Sequence, residues 1–282
     1  MSFNYIAALS VIETRNIISS KNPVALDLGC QTVSIDIQEI IKNISFNKND
    51  ISNEQIKELS KLVGKKFSTS DFFKSLNYAD YKSIDINGDH NSLQFDLNYD
   101  IQNKYNFDEQ FDLVINNGTG EHVFNQYSFF KNFHNLTKKN GYMLNILPFI
   151  DWINHGFYNF NPIIFADMAA ANNYEIIKIS LANRWGSEVE LKKEDQKIFF
   201  DQIKPYEQNS SFSKFIEFAR KKIGVNIILK TIMKKFDEKN FQIPLQGKYL
   251  EDIKEIKSVY SDQDLGSASA KGQFKDSAKR KN

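Results

Sequence analysis

Val24-Ala25-Leu26-Asp27-Leu28-Gly29-Cys30 is the stretch on which the fold turns. Pro23 stands before a short apolar run, a carboxylate lies near its end and a glycine closes it. This is the pattern of a buried strand that leaves its sheet through a sharp turn. Outward from it the pattern recurs: residues 81–86, 93–97, 111–115, 142–147, 176–181 and 225–232 are further short apolar segments, and each predicts a strand. Helical patterns fall at 71–76, 126–137, 162–172, 192–203 and 213–222, the third opened by Asn161-Pro162 as cap and first helical residue. Alternation of this kind predicts an α/β fold: a doubly wound, mostly parallel seven-stranded sheet with helices on both faces and a ligand at the carboxyl edge.

The 282 residues, 41% hydrophobic and 25% charged, suffice for one sizeable core and exclude disordered and collagen-like classes. With 36 Lys and Arg against 35 Asp and Glu there is no overall field to hold a nucleic acid. Cys30 is the single cysteine, which rules out an intramolecular disulfide and points to a reducing compartment, the cytoplasm by default. No basic residue precedes the apolar run at 6–12, so a secretory signal is not expected. The most apolar region, 142–171, is interrupted by Asn145, Pro148, Asp151, Asn154, His155 and Asp167, so no membrane span is expected.

A single domain is expected over 1–261. Within it, 32–67 is an inserted segment holding a helix capped by Ser52 with Gln55 three residues on, a possible lid. Residues 183–261 read as C-terminal additions around an acceptor pocket. The tail from Asp262 is rich in Gly, Ser, Ala and Lys, and disorder is expected there.

Asp27, Asp85 and Asp96 stand at the expected ends of the first three strands. One such Asp is equally a good turn residue. Three in register would line one sheet edge and suit a ligand that is cationic or rich in donors.

With these segments in order, the chain resembles the class I S-adenosylmethionine-dependent methyltransferases. The resemblance covers residues 20–182 and rests on 24–30, Ser83-Ile84-Asp85, Phe95-Asp96-Leu97, Phe111-Asp112-Leu113-Val114-Ile115-Asn116-Asn117 and residues 136–144, where Asn140-Gly141 stands in the turn before the fifth strand. It departs from the family at Gln31 and Thr32, which leave Gly29 alone of the usual glycine set. The acid at Asp85 also lies much further along than the about 20 residues of a dinucleotide fingerprint. The resemblance implies a Rossmann-like fold and S-adenosylmethionine as cofactor. It places Asp27 and Gly29 at the amino-acid end of that cofactor, Asp85 and Ile86 at the ribose, Asp96 and Leu97 at the adenine, and Asn116, Asn117 and Gly118 beside the sulfonium. A sulfonium and an ammonium suit a carboxylate-lined edge, whereas a diphosphate wants backbone amides and no nearby anions.

Two polar clusters follow. Gly118-Thr119-Gly120-Glu121-His122 presents a carboxylate and an imidazole beyond the fourth strand, where some class I O-methyltransferases carry a similar Glu-His pair. His122 is either a base or a helix cap. Residues 148–162 interleave Asp151, Asn154 and His155 with Trp152, Phe157, Tyr158 and Phe160, a costly set to bury without a partner. The catalytic candidates are therefore His155, ahead of His122, and Glu121. Trp152, Tyr158 and Asn154 are the substrate-binding candidates, and Phe157 and Phe160 could also stack on an acceptor. Methyl transfer to a hydroxyl of a sugar or small molecule is the expectation; a nicotinamide-dependent oxidoreductase or epimerase and a noncatalytic nucleotide-binding module are the alternatives. No His, Cys, Asp or Glu pair has a strong metal-ligand spacing, so no metal is expected. His90 and His134 read as surface or packing residues. Asn159-Phe160-Asn161-Pro162 lies after the wrong strand for a DNA-methylating motif.

Overall fold

The computed structural model describes residues 2–47, 51–191 and 211–245. Seven strands form one sheet: β1 (Val24–Asp27), β2 (Asp80–Ser83), β3 (Phe111–Asn117), β4 (Thr137–Ile150), β5 (Tyr174–Ala182), β6 (Glu188–Glu190) and β7 (Ile227–Lys235). Their order is β2-β1-β3-β4-β7-β5-β6. Strands β2, β1, β3 and β4 pair in parallel. Strand β7 returns late in the chain to lie antiparallel between β4 and β5, and β6 is antiparallel to β5. Only β7 and β6 therefore run against the rest, and the Rossmann-like, doubly wound expectation holds with an antiparallel second half.

Successive residues of each strand face opposite layers, as the pleat requires. Ala25, Leu113, Ile115, Leu144, Ile146 and Ile228 meet α1 (Tyr5–Ile17), α2 (Ile37–Asn47), α3 (Asn53–Ser60) and α4 (Thr69–Ser75). Leu26, Val114, Met143, Leu147, Leu229 and Met233 meet Ile101 of α5 (Ile101–Tyr105), α6 (Gln126–Leu136), α7 (Pro162–Asn172) and α8 (Ser211–Ile223). Pro162 begins α7 as expected, although Asn161 makes no side-chain cap.

Two expectations change, at 93–97 and at 32–67. Residues 93–97 form no strand: only Leu93 bridges to Ile84, while Phe95 stacks on Tyr105 with ring centroids 4.3 Å apart and Leu97 enters the core. The count of seven is kept by β6. The segment 32–67 is not a lid, because Ile37, Ile40, Ile44 and Leu59 are buried in the core layer over the sheet, with Ser52 and Gln55 forming the expected capping box. The strand expected at 225–232 is β7, which sits inside the sheet between β4 and β5. Helix α1, capped by Asn4 through the Ala7 amide, went unpredicted. The helix expected at 192–203 and the tail from 262 lie outside the described residues. No helix among the described residues is long and apolar enough to cross a membrane.

Candidate active site

Asp27 ends β1 between β2 and β3, fully buried. Its Oδ1 accepts the Gly29 amide at 3.3 Å, and the Tyr81 phenol of β2 lies against the carboxyl. Burial holds Asp27 well above the usual carboxylate range. Gly29 is required here: a Cβ on it would come within 2.1 Å of Thr119 Oγ1, so the turn after β1 packs directly on the loop after β3. The next amide, of Cys30, donates to Asp85 Oδ2 at 3.4 Å. Burial, then Asp85, Asp27 and Asp89, push the Cys30 thiol up to about 11. This edge is acidic.

Gln31 bridges the two strand ends. Its Nε2 donates to the Asn117 carbonyl, and the Asn117 Nδ2 donates back to Gln31 Oε1. Asn117 Oδ1 is buried and receives nothing. A cavity of about 870 Å³ opens beside Cys30, between Tyr81, Ser83 and Leu93 on one side and residues 65–71 on the other.

At the end of β3 a ladder of amides fixes the second cluster. Asn116 Nδ2 donates to Asn145 Oδ1 on β4, and Asn145 Nδ2 donates to Thr231 Oγ1 on β7, all three residues being fully buried. Asn116 Oδ1 accepts the Gly120 amide. Gly118, with φ +70°, makes the turn that allows this. Glu121 follows directly. The Glu121 carbonyl accepts the amides of Phe157 and Tyr158, and a Cβ on Gly156 would collide with Glu121 Cγ and its backbone. The loop after β4 is thereby zipped onto the loop after β3.

That zipper brings His155 to Glu121. Glu121 is fully buried, and its Oε1 lies 3.5 Å from His155 Nε2 and 3.9 Å from His122 Nε2. Neither oxygen of Glu121, nor His155 Nε2, has a hydrogen-bond partner. Burial pushes the Glu121 carboxyl up to about 7; burial also lowers both imidazoles, His122 being lowered further by His155. Trp152 packs on His155 with centroids 4.8 Å apart and donates its indole N–H to the Ile227 carbonyl.

The structure thus brings Asp27, Gly29, Asp85 and Asn117 to one edge and groups Glu121, His122 and His155 beside it. Several candidates have other occupations. Asp85 lies two residues past β2, and Asp96 sits in a loop where its Oδ1 accepts the Asn98 amide and Nδ2. Leu97 is core and Ile86 is largely exposed. Asn116 is wholly engaged in the ladder, so it positions Gly118 to His122 rather than walling a ligand. Phe160 is buried against Phe130 and Phe165, which removes it from any stacking platform. Tyr158 donates its hydroxyl to the Phe124 carbonyl, and Asn154 is exposed with φ +57°. His134 is a packing residue, donating from Nε2 to the Lys239 carbonyl and accepting at Nδ1 from the Tyr174 hydroxyl. Sequence reading missed Gln31, Tyr81, Thr119 and Phe124. Exposed Phe124 meets exposed Phe157 at 5.9 Å on the rim, and only their apolar character in polar loops could have flagged the pair.

No protein-family model matches the sequence, and no curated protein does. Among solved structures the fold is similar to several methyltransferases. The 1,6-didemethyltoxoflavin-N1-methyltransferase of Burkholderia thailandensis, solved with 1,6-didemethyltoxoflavin and S-adenosylhomocysteine, is 11% identical over 82% of this chain and 80% of its own, with a TM-score of 0.41. TehB from Haemophilus influenzae is 13% identical over 81% of this chain and 62% of its own, with a TM-score of 0.40. An O-methyltransferase of a trans-AT PKS multienzyme of Brevibacillus brevis, in complex with S-adenosyl-L-homocysteine, is 12% identical over 81% and 72%, with a TM-score of 0.38. At these values the likeness transfers no activity, cofactor or acceptor to this chain.

Proposed function

We propose that the chain is an S-adenosylmethionine-dependent methyltransferase acting on a hydroxyl of a sugar or other small molecule. The observation that carries this reading is the acidic, acceptor-rich edge formed beyond the carboxyl ends of β1, β2 and β3. Three carboxylates surround Cys30, and Asn117 Oδ1 is buried without a donor. A ligand bearing an ammonium and a sulfonium supplies the missing positive charge and donors.

On this reading Asp27 and Asn117 hold the amino-acid end and Asp85 the ribose hydroxyls. Gly29 keeps the turn thin enough for the loop after β3 to close on it. Bound there, the cofactor supplies an electrophilic methyl group. Glu121, His122 and His155 form the acceptor end, and Phe124 and Phe157 offer the apolar rim an organic acceptor needs. The His155 imidazole, ahead of His122, takes the proton of the acceptor hydroxyl.

Lys65, Lys66 and Lys82 on the cavity wall favour a second reading, a phosphate-bearing nucleotide such as NAD. Calorimetric titration of the purified chain separates the two. Micromolar binding of S-adenosylhomocysteine that weakens at least about tenfold in Asp85→Ala supports the methyltransferase; binding of NAD alone, or of neither, overturns it. Once an acceptor is found, His155→Ala should lower turnover about 100-fold or more while leaving S-adenosylhomocysteine affinity unchanged.

A further inference from the structure

Glu121, His122 and His155 each offer one ligand atom, and these atoms lie within 4.8 Å of one another. Tetrahedral coordination with bonds of about 2.0–2.1 Å sets neighbouring donors about 3.3–3.4 Å apart. Glu121 Oε1 to His155 Nε2, at 3.5 Å, already meets that spacing, and Glu121 Oε1 to His122 Nε2, at 3.9 Å, is a small side-chain adjustment away. Among the described residues no other three His, Cys, Asp or Glu side chains come together in this way.

The second observation is what these atoms lack. Both oxygens of fully buried Glu121 and the Nε2 of His155 have no hydrogen-bond partner, although such groups are costly to bury bare. The scaffold nonetheless holds them in place. The Asn116 side chain anchors the Gly120 amide, the Phe157 and Tyr158 amides clasp the Glu121 carbonyl, and Trp152 backs His155. A position built this firmly and left with bare lone pairs calls for a cation.

We propose that Glu121, His122 and His155 form a site for one transition-metal dication of the zinc class. Two imidazoles and one carboxylate suit zinc, cobalt or ferrous iron, whereas magnesium and calcium want all-oxygen sets. Three protein ligands leave a coordination position open, and the partial exposure of His122 and His155 puts that position toward solvent. The binding site stands on its own geometry; only its service in methyl transfer rests on the function proposed above. There the ion holds the acceptor oxygen and lowers the pKa of its proton, which leaves to solvent, so the ion replaces the imidazole as the activating group.

The full chain, without a histidine tag and stripped with EDTA, is titrated with ZnCl2 by calorimetry and with CoCl2 by visible absorption. The expected result is saturation at one ion per chain, d–d bands from bound cobalt, and no heat from MgCl2. His122→Ala, at an exposed ring, and His155→Ala should each weaken zinc at least about tenfold, with circular dichroism confirming that both variants fold. Absence of a one-to-one site overturns the proposal, and so does zinc affinity indifferent to both substitutions. S-adenosylhomocysteine is titrated in parallel: zinc binding without it leaves the metal site standing and removes the methyltransferase, and the reverse removes only the metal.

Discussion

Two charged clusters differ in one respect: one lies on the sheet face that α1 covers, the other in the loops beyond the ends of β3 and β4. On the α1 side, Lys230 is nearly inaccessible and donates to Glu13 and Glu188, while Lys178 reaches the same two carboxylates. Desolvation alone would raise Glu188, but Lys230 and Lys178 hold it below the usual carboxylate range. Every charge there has its counterpart. In those loops, Glu121 is fully buried and faces the half-buried His155, and neither Glu121 oxygen nor His155 Nε2 has a hydrogen-bond partner. The first arrangement stabilises the fold, and the second holds atoms ready for something that the chain itself does not contain.

The comparison breaks most visibly at Lys230. Lys230→Ala leaves Glu13 and Glu188 to share Lys178, and removing one partner of a buried ion pair costs about 3–5 kcal/mol. Urea unfolding should show a loss near the lower figure, since Glu13 is partly exposed. A loss under about 1 kcal/mol would mean that the network is solvated and that the contrast with Glu121 is false.

A buried histidine with full partners gives the next effect. His134 is held neutral, its pKa lowered to about 4 by burial and by Lys235. The unfolded chain takes up that proton near pH 6.5 and the folded chain only near 4, so stability is intact above about 6.5 and falls as the pH drops through this window. The full difference is about 3 kcal/mol. Glu121, raised to about 7, gives a slope of opposite sign over the same range, so the His134 effect is read as the difference in urea stability between the wild-type chain and His134→Gln, which should change by this amount from pH 7 to 4. An unchanged slope in the variant would assign the acid loss elsewhere.

Glu121→Gln sharpens the contrast from the unpaired side. It removes a buried charge that lacks a partner, so stability at pH 8 should rise by about 1 kcal/mol, whereas Glu188→Gln should lower it by a similar amount or more. If both variants lose stability, Glu121 has a protein partner and its bare geometry misleads.

How far the sequence disclosed these regions follows from where their signals lie. The strands were legible because apolar runs must cross a two-sided core, and Glu121-His122 stood out as charged residues in a glycine turn. Residues 93–97 misled, since Phe95 and Leu97 alternate as a strand would but spend their apolar surface on Tyr105 and the core. Strand β6 was invisible because Glu188 and Glu190 have no apolar pattern; Glu188 is there to meet Lys230. The meeting of His155 with Glu121 depends on Gly156 and two backbone amides, and a chain of side chains on three separate strands has no local pattern.

That chain carries the last prediction, whose effect on zinc is a few fold. Thr231 on β7 accepts from Asn145, which accepts from Asn116, which in turn accepts the Gly120 amide. Thr231→Val keeps the shape of the side chain and leaves Asn145 Nδ2 buried without an acceptor, at a cost of about 1–2 kcal/mol. If the ladder is what aims Glu121, the same variant should also weaken zinc by a few fold, because each amide can rotate once the last one is released. A stability loss with zinc affinity unchanged would confine the ladder to packing and leave the clasp on the Glu121 carbonyl and the Trp152 contact on His155 to position the site.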